Sequence, residues 1–209
     1  LTNNVALLGS NQNGDFRLSY TGLDQTGIVP NTDLRRNTIS FGGGYNLTKK
    51  FTARAFVSYI KSESDNRPSI SYGTENIMYL FNCWLPRSVD VSDMQDYWMR
   101  GLEGRRQFGF NYNYHDNPWF TMYENTNGQY VDRIIGNIAL KYDFTPELSL
   151  MVRTATDFSN ERRQYRRAFS TQRFPFGQYR EAKVYSEERN SDFLLTYNKE
   201  LVPSTWNLT

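Results

Sequence analysis

The 209-residue sequence predicts an all-β fold, a transmembrane antiparallel β-barrel wall with long extracellular loops. Three observations predict it. The regular segments alternate apolar and polar residues with period two, the signature of a strand with two unlike faces. The connections between them alternate short and long, as in membrane barrels with brief turns at one end and long loops at the other. Aromatic residues gather near both ends of the segments, where ring girdles mark the two interfaces of a bilayer.

Composition agrees with this and closes off other classes. Only 38% of the residues are hydrophobic while 16% are aromatic, with 15 Tyr and 14 Phe. A soluble core is built mainly from Leu, Ile and Val, whereas Tyr suits a surface that is apolar at one end and wet at the other. A mean hydropathy of −0.69 would indicate disorder if the polarity did not alternate. Net charge is +2, from 24 basic and 22 acidic residues, which gives no argument for a nucleic-acid partner. No apolar run approaches the roughly 20 residues of a spanning helix, but a barrel strand needs only about 9–11. The chain starts at Leu1 without Met or a leader-like segment, and stops within a pattern at Trp206-Asn207-Leu208-Thr209. Both ends therefore read as cut from something larger.

Eight strands are expected, over about 3–9, 15–24, 35–46, 51–60, 132–143, 148–159, 191–199 and 205–209. Phe16, Leu18 and Tyr20 alternate with Arg17, Ser19 and Thr21. Ile39, Phe41 and Tyr45 alternate with Thr38, Ser40, Gly42 and Gly44. Phe51, Ala53, Ala55, Val57 and Tyr59 oppose Thr52, Arg54 and Ser58. Ile134, Ile138, Leu140 and Tyr142 oppose Arg133, Asn137 and Lys141. Leu148, Leu150 and Val152 then oppose Arg153 and Asp157, and Phe193, Leu195 and Tyr197 oppose Asp192, Thr196 and Asn198. Tyr45, Phe51, Tyr142 and Tyr197 fall beside short turns, and Tyr20, Tyr59 and Phe158 at the opposite ends. Asn11-Gln12-Asn13-Gly14 is a tight turn whose Asn-Gly pair suits positive φ; 47–50 and 145–147 are equally brief. Gly42-Gly43-Gly44 lacks the Lys-Ser/Thr of a phosphate loop, and suits close backbone approach within a strand.

Two long loops are expected, 61–131 and 160–190. The first should pack as a small subdomain: Glu75–Leu85 is aromatic and apolar and ends at Pro86. Ser88 or Asp90 should cap a short helix running through Asp96–Met99, which Gly101 stops. The second loop holds Arg162, Arg163, Arg166 and Arg167, then Arg173 and Arg180. These arginines suit either lipopolysaccharide phosphates at the outer rim or a loop contact with Glu161, Glu181, Glu187 and Glu188.

Catalytic and metal chemistry finds little support. Cys83, the single cysteine, excludes an internal disulfide and a multi-cysteine metal site, and is expected to be a free, partly buried thiol. His115, the single histidine, is read as a structural hydrogen-bonding residue, and no Gly-x-Ser-x-Gly elbow accompanies it. Asp90, Asp93 and Asp96 lack the spacing of a calcium loop and read as a solvated helix face. No catalytic residue, cofactor or metal is expected. The segment His115-Asp116-Asn117-Pro118-Trp119-Phe120 suits sugar recognition through a stacking ring and amides, or else a Pro-fixed turn with Trp119 packed beneath it. The candidate substrate contacts are Asn117, Trp119, Asp116, Trp84, Asn66 and Arg67.

Several segments together resemble the SusC/RagA-type TonB-dependent outer-membrane transporters. They are Gly27-Ile28-Val29-Pro30-Asn31-Thr32-Asp33-Leu34-Arg35-Arg36-Asn37-Thr38, Asp65-Asn66-Arg67-Pro68, Tyr72-Gly73-Thr74-Glu75-Asn76, Asp116-Asn117-Pro118-Trp119, Asp132-Arg133-Ile134-Ile135-Gly136-Asn137 and Ala168-Phe169-Ser170-Thr171-Gln172-Arg173. They occur in the family's order over nearly the whole chain. The resemblance implies a barrel of about 22 strands around an N-terminal plug, a SusD-like surface lipoprotein as lid, and energy from the TonB complex. It also implies import of an oligosaccharide or a peptide in Bacteroidetes-type bacteria. Plug, TonB box and C-terminal strand are not recognisable here, so the chain reads as an internal part of one barrel domain, residues 1–209. Two other readings stand beside it: a closed eight-stranded outer-membrane enzyme, and a soluble or surface carbohydrate-binding or adhesin β-domain. The lone histidine weighs against the first, and the lipid-type faces against the second.

Overall fold

The computed structural model describes residues 1–70, 72–111, 113–202 and 206–208, with side chains as far as Lys199. Seven strands form one sheet in chain order: β1 (Thr2–Ser10), β2 (Gly14–Thr26), β3 (Asp33–Asn46), β4 (Phe51–Ser64), β5 (Asn127–Asp143), β6 (Leu148–Thr171) and β7 (Phe174–Tyr197). Every neighbouring pair is antiparallel. The sheet is open, since β1 pairs only with β2 and β7 only with β6 among the described residues. β8 (Lys199–Val202) and β9 (Trp206–Leu208) make a separate two-stranded sheet. The eighth strand expected at 205–209 is thus a short arm of this hairpin, and Thr205 and Thr209 lie outside the described residues.

Local chemistry sets the turns. Between β1 and β2 the Asn11 side-chain oxygen accepts the backbone N–H of Asn13 and of Gly14, both at 2.8 Å, an Asx-type turn. The positive φ expected at Asn13-Gly14 is absent. Gly14 matters for space instead: a Cβ there would lie 2.4 Å from the Gly44 carbonyl oxygen and 2.7 Å from the Tyr45 ring. Thr145 plays the Asn11 role between β5 and β6, its hydroxyl accepting from Glu147 and Leu148.

Register gathers the alternating residues of successive strands onto common faces, because paired residues point the same way. One row runs Val5, Tyr20, Ile39, Tyr59, Ile134, Phe158; another runs Leu7, Leu18, Phe41, Val57. Towards the turns follow Tyr45, Ala53, Leu140, Val152 and Phe193, then Phe51, Tyr142, Leu150 and Leu195. This apolar face is bare, with most of its large side chains exposed and Phe193 at 78%. The opposite face is polar and laced with cross-strand ion pairs: Arg54 to Asp15 at 3.3 Å, Arg153 to Asp192 at 2.9 Å, and a bidentate Arg133–Asp157 pair.

The hydrophobic core lies elsewhere. Among the described residues the buried apolar side chains are Ile77, Leu80, Pro118, Phe120 and Met122, all in the insertion between β4 and β5. That insertion contains α1 (Ile77–Cys83), a 3-10 turn (Val91–Met94) and α2 (Pro118–Glu124), and so forms the expected subdomain. Asn76 caps α1 and Asn117 caps α2 by accepting backbone N–H groups. Asp90 caps as expected, but only a four-residue 3-10 turn. Helix cannot continue to Met99, because Trp98 bridges back to Gln107. Cys83 is exposed rather than partly buried, since α1 buries its other side through Ile77 and Leu80.

The segment 160–190, expected as a loop, is regular strand. β6 and β7 run 24 residues each and stay paired from Leu148↔Tyr197 to Thr171↔Phe174. Beyond Phe158 both faces of this hairpin are mostly polar, with Val184 and the tip residues Phe169, Phe174 and Phe176 as exceptions, so no sustained apolar alternation marks it. Gly14→Ala should push β2 and β3 apart and cost about 1–3 kcal/mol, read as a lower urea midpoint. Gln12→Ala, in the same turn, should stay within about 0.5 kcal/mol.

Candidate functional site

A buried polar network joins the subdomain to the loop end of the sheet. At its centre Arg167 of β6, its side chain 4% exposed, forms a bidentate pair with Glu75 at 2.9 and 2.6 Å. The same guanidinium donates to the Thr126 and Arg166 carbonyls and to Asn127. A buried charge is tolerable only when paired and hydrogen-bonded, and Arg167 meets both conditions.

The sequence-predicted candidates are spread through this network. Asn66 is buried: its amide donates to the carbonyls of Asn31 (2.8 Å) and Met122 (2.9 Å), and its oxygen accepts from Asn127. Asn117 is fully buried, capping α2 while its amide donates to the Met94 and Phe108 carbonyls. Asp116 accepts from the Gln107 side chain at 2.6 Å and from the Gln172 backbone at 2.8 Å. Trp119 stacks on Tyr123 and donates its indole N–H to the Val91 carbonyl. Asn66, Asp116 and Asn117 thus spend their polar atoms inside the protein. Arg67 and Trp84 are exposed.

Ser170 shows what the network can hold. It has φ 74°, a left-handed conformation costing a non-glycine residue on the order of 1 kcal/mol. Gln107 fixes it from both ends, donating its backbone N–H to the Ser170 hydroxyl and its amide to the Ser170 carbonyl. Asn125 likewise accepts from the Ala168 backbone and the Thr171 hydroxyl. Gln107, Asn125 and Glu75 were not foreseen as functional, and only the Asn- and Gln-rich composition of these loops hinted at them; Arg167, expected to meet lipid phosphates or Glu161, Glu181, Glu187 and Glu188, pairs with Glu75 instead.

His115 is packed rather than hydrogen-bonded through its side chain. It is 0% exposed, and neither ring nitrogen has a hydrogen-bond partner among the described residues. Its backbone bridges to Asn111, which aims the imidazole at the rings of Tyr114 (4.7 Å), Trp84 (5.0 Å) and Tyr79 (6.3 Å). Burial pushes its pKa below the usual 6.5, and burial pushes the Asp116 carboxyl up from 3.8. Burial and the Glu124 hydrogen bond raise the Tyr97 phenol to about 12. Tyr97 therefore serves as a neutral donor to Glu124 at 2.9 Å.

Two exposed surfaces close to these candidates offer room for a ligand. One is the ring cluster over His115, where Trp84 is 45% exposed and lies 5.6 Å from Tyr114. The other is an open polar groove of about 440 Å³ at the loop end of the polar face, lined by Arg67, Ser69, Glu75, Gln129, Arg163 and Tyr165 among others. There Arg67 donates to Gln129 at 2.5 Å, Gln129 donates to Glu161, and Glu161 holds Arg163 by two bonds. Amide, carboxylate and guanidinium groups in a row can exchange hydrogen bonds with a hydroxyl- or amide-rich ligand. No group of three or more metal-ligating side chains occurs among the described residues, and no helix is long and apolar enough to cross a membrane. Comparison with protein-family models and with curated proteins finds no match to this chain.

Two predictions follow from the network and the ring cluster. Glu75→Ala leaves the Arg167 charge buried and unpaired, which should cost about 3–5 kcal/mol and speed tryptic cleavage at Arg87, Arg100 and Arg105; Arg67→Ala should change neither. His115 binds a proton less readily folded than unfolded, so stability is complete above about pH 6.5 and falls as the pH drops below it. Urea midpoints at about pH 7.5 and 5.5 should show that loss, and His115→Phe should lessen it.

Proposed function

We propose that the seven-stranded sheet is part of the wall of a SusC/RagA-type outer-membrane β-barrel. The barrel imports a bulky nutrient, with an oligosaccharide preferred over a peptide. The observation that carries this reading is the bare apolar face, bounded by ring rows, across β1 to β6 and the turn end of β7, where Phe193, Leu195 and Tyr197 give way to Ser191, Arg189 and Glu187. Soluble monomers rarely expose a contiguous apolar patch beyond a few hundred Å². In β4 the rows of Phe51 and Tyr59 are eight residues apart, about 27 Å along the strand, the scale of the roughly 25 Å apolar band of a barrel wall. The polar face, with its cross-strand ion pairs, suits a hydrated lumen.

The family resemblance supplies the rest: further strands close the barrel, a plug fills it, the TonB complex drives it and a SusD-like lipoprotein covers it. No bond of the substrate is made or broken. The groove at Arg67, Gln129 and Arg163 opens on the lumen face at the extracellular mouth. The ring cluster at Trp84 stands on the subdomain beside it. Ring faces and amide or guanidinium donors are the groups that bind sugars by stacking and hydroxyl hydrogen bonds, which is why an oligosaccharide is preferred. In this reading Asn66, Asp116, Asn117 and Trp119 position the loop, while Arg67 and Trp84 meet the substrate.

Two neighbouring positions test it. Ile138 is at mid-band on the apolar face, and Asn137 points to the polar face. Ile138→Arg should cost about 2–4 kcal/mol in lipid, emptying the outer-membrane fraction of the protein and abolishing accumulation of labelled oligosaccharide. Asn137→Arg should leave localisation unchanged, and a protonophore should stop uptake by the wild type. Full recovery of either form as a soluble monomer would overturn the reading.

A further inference from the structure

Resting on that reading and narrowing it, we propose that the groove at the loop end of the polar face selects an oligosaccharide bearing carboxylates, as uronic acids do. Arg67 and Arg180 make the selection. Strand alternation divides the arginine cluster. Arg162 and Arg166 point away from the polar face. Arg163 and Arg167 point to it, and so does Arg180, which pairs across the ladder with Tyr165. Arg67 enters from the loop after β4 and lines the groove with Glu75, Gln129, Arg163 and Tyr165.

The acids on this side already have partners. Glu161 accepts two bonds from Arg163, at 2.6 and 2.7 Å, and Glu75 two from Arg167, at 2.9 and 2.6 Å. Asp116, within electrostatic reach of Glu75 and Arg167, is buried and engaged by Gln107 and Gln172. Asp65 and Glu181 serve the opposite face. Asp65 accepts from Tyr130 and lies 3.7 Å from Arg35, while Glu181 accepts from Gln164 and Tyr179. Arg67 and Arg180 form no ion pair among the described residues. Arg67, Arg163, Arg167 and Arg180 thus meet only Glu75, Asp116 and Glu161, and the surplus charge is at the open surface.

Both of these arginines are held in place. The Arg67 backbone N–H donates to the Asn127 carbonyl at 2.8 Å, and the Asn127 amide donates back to the Arg67 carbonyl at 3.1 Å. Its guanidinium spends one nitrogen on Gln129 at 2.5 Å, and its other N–H groups make no hydrogen bond among the described residues. The Arg180 guanidinium lies 5.4 Å from the centre of the Tyr165 ring, a cation–π contact that holds it beside the groove. Planar forks of donors fixed in this way suit carboxylates. The backbone beneath the groove is committed to the β5–β6 ladder, so an extended peptide finds no strand edge to join. The Ser69 hydroxyl and the Gln129 amide suit ring hydroxyls instead.

The test titrates the detergent-solubilised intact protein carrying this chain with tri-galacturonic acid and with its methyl ester, which has the same rings and no charge. Calorimetry should show the acid bound about tenfold tighter, the scale of one or two charge-assisted hydrogen bonds. Salt at about 0.5 M should remove most of that preference. Arg67→Gln/Arg180→Gln should bind the ester as the wild type does and lose the preference, and Arg162→Gln, on the opposite face, should keep it. Equal binding of the two probes by the wild type, binding of neither, or a preference that survives in the double variant overturns the selection and leaves the barrel wall standing. Tighter binding of a tri-aspartate peptide than of the acid overturns the sugar. Recovery of the wild type as a soluble monomer overturns the wall, and with it the import on which the selection rests.

Discussion

Everything in this chain depends on one register. Seven strands paired in order, each against its immediate neighbour, bring the apolar half of every alternating segment to the same side. The side-chain period of a strand is two, so a slip of one residue in any of them would exchange its faces. It would put Arg54 or Arg133 among the rings and leave Asp15 and Asp157 without partners. The cross-strand pairs on the polar face and the ring rows on the apolar face therefore specify the same alignment from opposite sides. That agreement replaces a hydrophobic core beneath the sheet, where none is found among the described residues.

The second element of order is the polar network at the loop end. Among the described residues the subdomain buries Ile77, Leu80, Pro118, Phe120 and Met122, too few apolar side chains to hold some sixty residues by the hydrophobic effect alone. Asn31, Asn66, Gln107, Asp116, Asn117 and Arg167 supply the directional bonds that a small core lacks. Such networks are unforgiving, because a half-satisfied polar cluster is worse than an apolar one. The motifs at 27–38, 65–68, 116–119 and 168–173, far apart in sequence, meet in this network. What reads as a set of separate signatures is one set of mutual hydrogen bonds.

This explains what was legible beforehand. Where one face is apolar and the other polar, as in β2, β4 and β5, alternation revealed both the strand and its facing. Beyond Phe158 and Glu187 both faces of β6 and β7 are mostly polar, and period two leaves little trace in composition; the outer half of a hairpin of two 24-residue strands therefore resembled a loop. The same blindness hid the sorting of the arginines, which follows only once 162–167 is known to be strand. Asn66, Asp116 and Asn117 were visible as unusual residues, but their direction was not. Polar residues that cap helices and bind carbonyls are the same types that bind sugars, and burial alone separates the two roles. His115 misled in the opposite sense, because a histidine ring can pack as an aromatic.

The position of the core bears on how this architecture could work. The sheet is rigid through its ladders, so its shape cannot easily respond to a ligand. The subdomain is small, and Arg167 and Glu75 tie it to the sheet through a buried charge pair instead of a large apolar contact. A contact of that kind has steep angular requirements and little tolerance for partial opening, and so favours two discrete arrangements over gradual deformation. Glu75 also lines the groove that contains Arg67 and Gln129. A ligand that bonds to the groove would compete for the carboxylate that fixes the subdomain, coupling occupancy of the groove to the position of the loop through a single side chain.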